Sequence, residues 1–408
     1  MKKLFIMTVA WAVGVSATSL ARGQGYGTDT QNVLMPAAGG MAGTSLARPQ
    51  DVPSSIFGNP STLAQFHGTH FTMGGGWVEG YPTVTHDGFL DNAAGYSVTS
   101  RTQGMLAPAI GVAQDLRPLG LPGTLGLGFT SQSGLGAEFR GLAPAGSYAN
   151  DISSEYMVLG LNLGAGVELT ERLSVGAAMT LGTGIEQLGL VQTSAMVHAY
   201  GLRGAVGVDY DLTDATTLAA FYQSKLGFNF PNAFRLPNGT YRGLHIQQPD
   251  TIGFGIANRR LLDGDLLLAC DVYYKLWESA DMYRDIFVNQ WALSTGAQLT
   301  RGKMKYRLGY SYNTNPINHN VGDRLSTLPV AQAAVEFFQA ATSAVINQHR
   351  ISGGFGCENF LLQGLDLDFF AGGLLNASDN FGDHTRASVA VYYLGMGLTW
   401  RYGCSHRE

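Results

Sequence analysis

The stretch "KMKYRLGYSYN", residues 303–313, decides the fold. Met304, Tyr306, Leu308, Tyr310 and Tyr312 fall on one side of an extended chain, and Lys305, Arg307, Gly309, Ser311 and Asn313 on the other. That is period-two alternation, the mark of a strand with two unlike faces. One face is apolar and rich in aromatics. The other is too small and too charged to form a dry core. A soluble sandwich buries its large apolar side chains. A transmembrane barrel turns them out to lipid, keeps a polar lumen and places aromatic girdles at the interfaces.

The pattern recurs. In "DLLLACDVYYKLW" (265–277), Leu266, Leu268, Cys270, Val272, Tyr274 and Leu276 alternate with Asp271, Tyr273 and Lys275. In "SVAVYYLGMGLTWRY" (388–402), Tyr392, Leu394, Met396, Leu398, Trp400 and Tyr402 alternate with Tyr393, Gly395, Gly397, Thr399 and Arg401. Strands are expected near 69–77, 104–115, 124–133, 154–169, 174–184, 200–211, 216–227, 249–259, 264–277, 290–300, 303–313, 347–357, 363–375 and 388–402. These make an all-β, antiparallel transmembrane barrel of about fourteen strands, an even count as bacterial single-chain barrels require. Short connections alternate with long ones at 78–103, 134–153, 185–199, 228–248, 278–289, 314–346 and 376–387. Short turns belong on the periplasmic side and long loops outside, so the first strand runs outward.

Composition agrees. Of 408 residues 55 are Gly, while charged residues are 13 % and aromatics 11 %. Glycine is at about twice its usual share and charge at about half. A mean hydropathy of +0.04 is too low for a helical membrane protein. Past the N-terminus no apolar run approaches the roughly 20 residues a membrane helix needs. The net charge of −5 gives no reason to expect nucleic acid. Residues 1–21 read as a secretory signal peptide. Lys2 and Lys3 are its basic start, Leu4–Val15 its apolar stretch and Ser19-Leu20-Ala21 its cleavage site. Export and a barrel together place the protein in a bacterial outer membrane.

Catalytic signals are absent. The nine His show no metal-pair spacing and no Ser/His/Asp grouping. No enzyme activity, metal or cofactor is therefore expected. The three cysteines are not a disulfide framework. Cys357 and Cys404 fall near the periplasmic end, where pairing is open, and Cys270 should face lipid.

Residues 22–68 precede the first strand and are rich in Gly, Ala and Ser. They are too apolar for a disordered tail and too short for a domain with its own core. A fourteen-stranded barrel has a lumen to fill, so the simplest place for them is inside it. Within "SSIFGNPSTLAQF" (54–66), the start reads as a loop. Asn59 then caps and Pro60 opens a short helix over Ser61–Phe66, ended by Gly68.

These residues also carry a resemblance. The Gly/Ala-rich lead and "IFGNPSTLAQF" are similar to the N-terminal hatch of FadL/TodX-type outer-membrane transporters of long-chain fatty acids and hydrocarbons. Asn59, Pro60 and Ser61 stand at that family's Asn-Pro-Ala, with Ser for Ala. "GLGFTSQSGLGAEFRG" (126–141), "FYQSKLGFNF" (221–230), "QQPDTIGFGIA" (247–257), "DVYYKLW" (271–277), "YRLGYSYNTNPI" (306–317) and "YLGMGLTWRY" (393–402) resemble further family segments in order. The resemblance implies a passive, ATP-independent channel for hydrophobic small molecules. Extracellular loops capture the ligand, an apolar pocket above the hatch binds it, and a gap made by a kink in the third strand releases it sideways. The matching kink is Ser133-Gly134-Leu135-Gly136. Ser133, Gly134 and Gly136 are candidates for the gap, or simply the start of a loop.

Other signals have two readings each. Leu34, Met35, Ile56 and Phe57 are candidates for a pocket floor, or filling under the plug. Arg203, Lys305 and Arg307 are candidate anchors for a ligand carboxylate. With Asp209, Asp271, Lys275, Arg350, Asp366 and Asp368 they fit equally a charge-paired lumen or a polar seat for the hatch. The stretch 330–346 has helical spacing in Val330, Ala334, Phe337, Phe338 and Ala341. The expected organisation is signal 1–21, hatch 22–68, barrel 69–403 and a periplasmic tail 404–408. The expected partners are a hydrophobic small-molecule ligand, outer-membrane lipid and, during biogenesis, the barrel-assembly machinery, with the chain a monomer. The rival readings are a general porin for hydrophilic solutes and a structural barrel without transport.

Overall fold

The computed structural model describes residues 32–403, apart from 90, 92, 103, 190–194, 236–237, 322–331 and 347. The signal-peptide stretch, the start of the 22–68 segment, the tail with Cys404, and Val330 lie outside the described residues.

Seventeen strands are described: β1 (Thr69–His86), β2 (Tyr96–Thr99), β3 (Met105–Asp115), β4 (Thr124–Glu138), β5 (Ser153–Thr170), β6 (Leu173–Gly189), β7 (Val197–Thr213), β8 (Thr216–Gln223), β9 (Leu226–Arg235), β10 (Tyr241–Gln248), β11 (Thr251–Leu261), β12 (Leu266–Lys275), β13 (Gln290–Arg301), β14 (Met304–Asn313), β15 (His349–Cys357), β16 (Leu365–Phe381) and β17 (Thr385–Tyr402). All except β2, β9 and β10 form the wall, a closed antiparallel barrel of fourteen strands. Closure comes from β1 and β17, which pair from Thr69↔Tyr402 to His86↔Thr385.

Period-two alternation does what it predicts. In β12, Ala269, Asp271, Tyr273 and Lys275 are buried, while Leu268 and its outward neighbours are not. Outward residues such as Leu106, Leu308 and Leu394 are exposed on every side of the wall. Leaving each such side chain in water forgoes about 1.5–3 kcal/mol, so this surface is built for hydrocarbon. Aromatic pairs mark both ends of it: Phe71 on Trp400 near the short turns, Tyr274 on Trp291 near the long loops. No helix among the described residues is long and apolar enough to cross a membrane.

Several long-loop expectations change. β1 continues past residue 78 to His86, and β2 folds back to pair with it. The expected loop 376–387 is a tight hairpin, with β16 running to Phe381 and β17 starting at Thr385. A bulge between Leu374 and Ala377 shifts the period there and hides the strand. The expected loop 228–248 contains most of the β9–β10 hairpin, a separate two-stranded sheet. Asn59 and Pro60 do start a short helix, but it is 3-10, Pro60–Gln65. The residues before it, read as loop, form helix α1 (Val52–Phe57), capped by Asp51, whose carboxylate accepts the Ser54 N–H. Helix α2 (Gln332–Ser343) buries Phe337, Ala340 and Ala341 over the long-loop end.

Candidate functional site

Residues 32–65 are almost wholly buried, yet they have too little chain for a core of their own. Their partners are inward positions of the wall. A Cβ added at Gly207 would overlap Asn59 Oδ1, one at Gly176 would overlap Pro60, and one at Gly309 would overlap Ala42. Glycine lets the inner segment lie against the wall on opposite sides of the barrel. Polar side chains then fix it. Asp271 Oδ2 accepts the N–H groups of Ser45 (2.7 Å) and Leu46 (3.0 Å). Ser352 Oγ accepts Ala42 N–H at 2.9 Å. The Ser61 hydroxyl donates to Asp209 and bonds Asn59 Oδ1 at 2.7 Å. Asn59 Nδ2 donates to Leu46 O at 2.8 Å. Asp51 serves twice: it caps α1 and accepts Ala37 N–H (2.8 Å) and Ala38 N–H (2.9 Å). Arg48 reaches Asp211 at 3.0 Å near the short-turn end.

The four pocket candidates do not form one patch. Leu34 joins Val78, Met105, Ala107, Phe370 and Tyr393. Met35 and Phe57 meet Ala38 and Ala109. Ile56 packs with Val52, Leu63 and Ala113. The anchor candidates also separate. Lys305 pairs with Glu358 at 2.6 Å beside the last short turn. Arg307 is held by Asp368 (2.6 Å) and Gln298 (2.7 Å). Arg203 instead lies over the Phe57 ring, 5.4 Å from its centroid, and donates to Gln132 Oε1 at 2.6 Å. Gln132 donates on to Asn162 Oδ1 (3.0 Å), which also accepts from Thr180 (2.7 Å).

Gln132 marks the main irregularity of the wall. β3 and β4 pair from Asp115↔Thr124 to Ala109↔Thr130, and the ladder stops there. Pro108, the next residue of β3, has no N–H to offer. β4 continues to Glu138 along β5 alone, after a bulge between Ser131 and Ser133. The two edges rejoin where Arg101 N–H donates to Glu138 O at 3.0 Å. Among the described residues no ladder joins β4 residues 131–137 to the 102–108 side. Ser133, Gly134 and Gly136 lie on this stretch of β4, each paired with β5. Met105 covers the opening from β3: a Cβ at Gly134 would stand 2.8 Å from its sulfur. Sequence reasoning missed Gln132 and Met105. Pro108, inside an otherwise regular strand, was the available signal.

The long-loop end is capped. Tyr156, Phe228, Phe230, Trp277, Tyr283 and Phe287 share one buried cluster with Val345 and Ile346, just past α2. Exposed His–Asp pairs tie the rim: His384–Asp87 at 2.7 Å, His319–Asp379 at 2.9 Å and His245–Asp281 at 2.8 Å. Among the described residues no group of three or more His, Cys, Asp or Glu is arranged to hold a metal. Among the described residues Cys270 and Cys357 form no disulfide, and Cys404 lies outside them.

The molecule is thus a closed fourteen-stranded barrel with an apolar outer surface, a chain segment packed in its lumen and a β3–β4 ladder that ends at Ala109↔Thr130. No protein-family model matches the chain, and no curated protein matches it by sequence. Solved structures do. The Pseudomonas putida toluene transporter TodX aligns with a TM-score of 0.69 at 16 % identity, over 94 % of this chain and all of TodX. A Pseudomonas aeruginosa FadL homologue aligns at 0.66 and 12 % identity, over 93 % of this chain and 99 % of its own. The Ralstonia pickettii toluene transporter TbuX aligns at 0.65 and 16 % identity, over 90 % and 98 %. The chain has the fold of these TodX- and FadL-type channels, as the sequence resemblance implied.

Proposed function

We propose that this protein is an outer-membrane channel for passive uptake of hydrophobic small molecules, long-chain fatty acids or similar hydrocarbons. The long loops face outward and gather the ligand. The inner segment is a hatch closing the lumen, and the ligand leaves sideways between β3 and β4. The observation that carries this reading is the end of the β3–β4 ladder at Ala109↔Thr130, beside a lumen filled by buried residues. A filled lumen gives a sugar or ion no continuous wet path, which argues against a general porin. A side opening onto hydrocarbon is useful only to a molecule that prefers hydrocarbon to water. Of the anchor candidates, Arg203 alone adjoins this ladder end, through Gln132. It is therefore the group suited to meet a carboxylate, whereas a hydrocarbon needs none.

The test is uptake by cells of a bacterial host lacking its own hydrophobic channels, with sucrose as the control solute. The intact barrel should pass a fluorescent long-chain fatty acid or toluene and exclude sucrose. A barrel lacking residues 32–58, checked for folding by heat-modifiable gel migration, should admit sucrose. Free sucrose entry through the intact barrel would favour the porin reading, and failure to carry either lipid or hydrocarbon would favour a structural barrel.

A further inference from the structure

The β9–β10 hairpin turns into the barrel mouth without joining its wall. It is a sheet of its own, yet Leu226, Phe228, Phe230 and Ile246 are fully buried. Its seat is the inner face of β6 and β7. A Cβ at Gly182 would stand 2.8 Å from Leu226, and one at Gly184 would stand 2.9 Å from the Phe228 ring and 3.0 Å from Phe230. One inward step toward the short turns, the same strands carry Thr180 and Arg203, which belong to the hydrogen-bonded group around Gln132. Phe230 also meets Tyr156 edge to face at 6.5 Å, and Tyr156 pairs with Leu135, on the stretch of β4 beyond the β3–β4 ladder. The hairpin therefore lies on the lumen face of β6 and β7, in register with that stretch of β4 two strands away.

Besides apolar packing, a few hydrogen bonds along its second strand and neck hold it there. A lone two-stranded hairpin is marginal in water. Its neck is fixed where Asp250 accepts from Tyr222 Oη (2.8 Å) and Lys225 N (3.2 Å). Its second strand is tied to Asp281 by His245 (2.8 Å) and by Gln247, whose N–H donates to Asp281 O (3.3 Å) and whose Oε1 accepts Asp281 N–H (3.1 Å), and Gln248 Nε2 donates to Tyr156 Oη (3.2 Å). Lifting it breaks no ladder with the wall.

We propose that the β9–β10 hairpin is an inner lid above the hatch, and that Phe228 and Phe230 set the size of the molecule that passes beneath it. This rests on the hydrophobic-channel reading. A small ring or slim chain slips past with a rotation of the two phenyl groups, whereas a bulky polycyclic molecule needs the lid to lift.

The experiment compares whole-cell uptake of toluene and pyrene by the intact barrel and by a Phe228→Ala/Phe230→Ala variant. The pyrene-to-toluene ratio should rise several-fold in the variant while sucrose stays excluded. An unchanged ratio in a variant that migrates as a folded barrel overturns the lid. If that variant does not fold, His245→Ala/Gln247→Ala removes both side-chain ties to Asp281 without touching the buried rings, and it should raise pyrene uptake. Unchanged pyrene uptake there likewise overturns the proposal. An intact barrel that carries neither probe overturns the channel reading itself, and the lid with it.

Discussion

Asp271, in the middle of β12, accepts the backbone N–H of Ser45 at 2.7 Å, across the lumen wall from its own strand neighbours. The same oxygen takes Leu46 N–H at 3.0 Å. Both donors are buried, so Asp271→Ala leaves two amides without their acceptor, at a cost on the order of 1–3 kcal/mol each. The expected outcome is an inner segment that leaves its seat often enough to admit sucrose. Asp271→Asn restores an acceptor without the charge and should recover part of the barrier. Sucrose influx equal to that of the intact protein in both variants would show that this contact does not hold the segment.

Glycine positions give a sharper contrast. Gly207 faces Asn59 so closely that a methyl group would overlap its side-chain oxygen, while at Gly204 the nearest atom to an added Cβ is 4.0 Å away. Gly207→Ala should therefore unseat the Asn59–Ser61 turn and raise sucrose leak. Gly204→Ala, three residues earlier on the same strand, should behave as the unmodified protein. Equal behaviour of the pair would mean the turn adapts without moving off the wall.

Met105 fills the opening between β3 and β4. Met105→Trp should obstruct it and cut hydrocarbon uptake several-fold, with sucrose still excluded. Met105→Ala should keep uptake or raise it. If the two variants transport alike, release does not run past this residue.

Asp87, just beyond β1, is held below the ordinary carboxylate range, first by its hydrogen bond with His384 and then by the Phe89 N–H. A depressed folded value means the tie is fully present above the unfolded value of about 4 and is lost as pH falls through the lower, folded one. The link between β1 and the β16–β17 turn should thus hold from neutral pH down to mild acid. Carboxyl NMR titration reads this directly. In His384→Ala the Asp87 midpoint should move up toward the ordinary range, and a midpoint that stays put would remove His384 as its cause.

The wall was legible because a strand between lipid and lumen must alternate, and each of the fourteen expected segments overlaps an observed strand. Ends were less so. The Leu374/Ala377 bulge changes which side residues face, and a reader counting by twos stops there. β9 does not read as a strand because Pro231 interrupts it and because its burial comes from folding back onto β6 and β7. Lys305 and Arg307 sit on inward positions as their spacing said. What the spacing could not convey is that Glu358 and Asp368, more than fifty residues later, stand against them. Gln132 went unnoticed for a similar reason. A bulge exists only relative to a neighbouring strand.

The seam between β1 and β17 joins the start of the wall to its end, residue against residue, over the full length of both strands. A chain made from one end to the other meets these partners last. Until Thr385–Tyr402 has been synthesised, β1 has one flank with no mate, and the segment destined for the lumen has no enclosure. The barrel can be closed only by a step that brings its first strand and its last together.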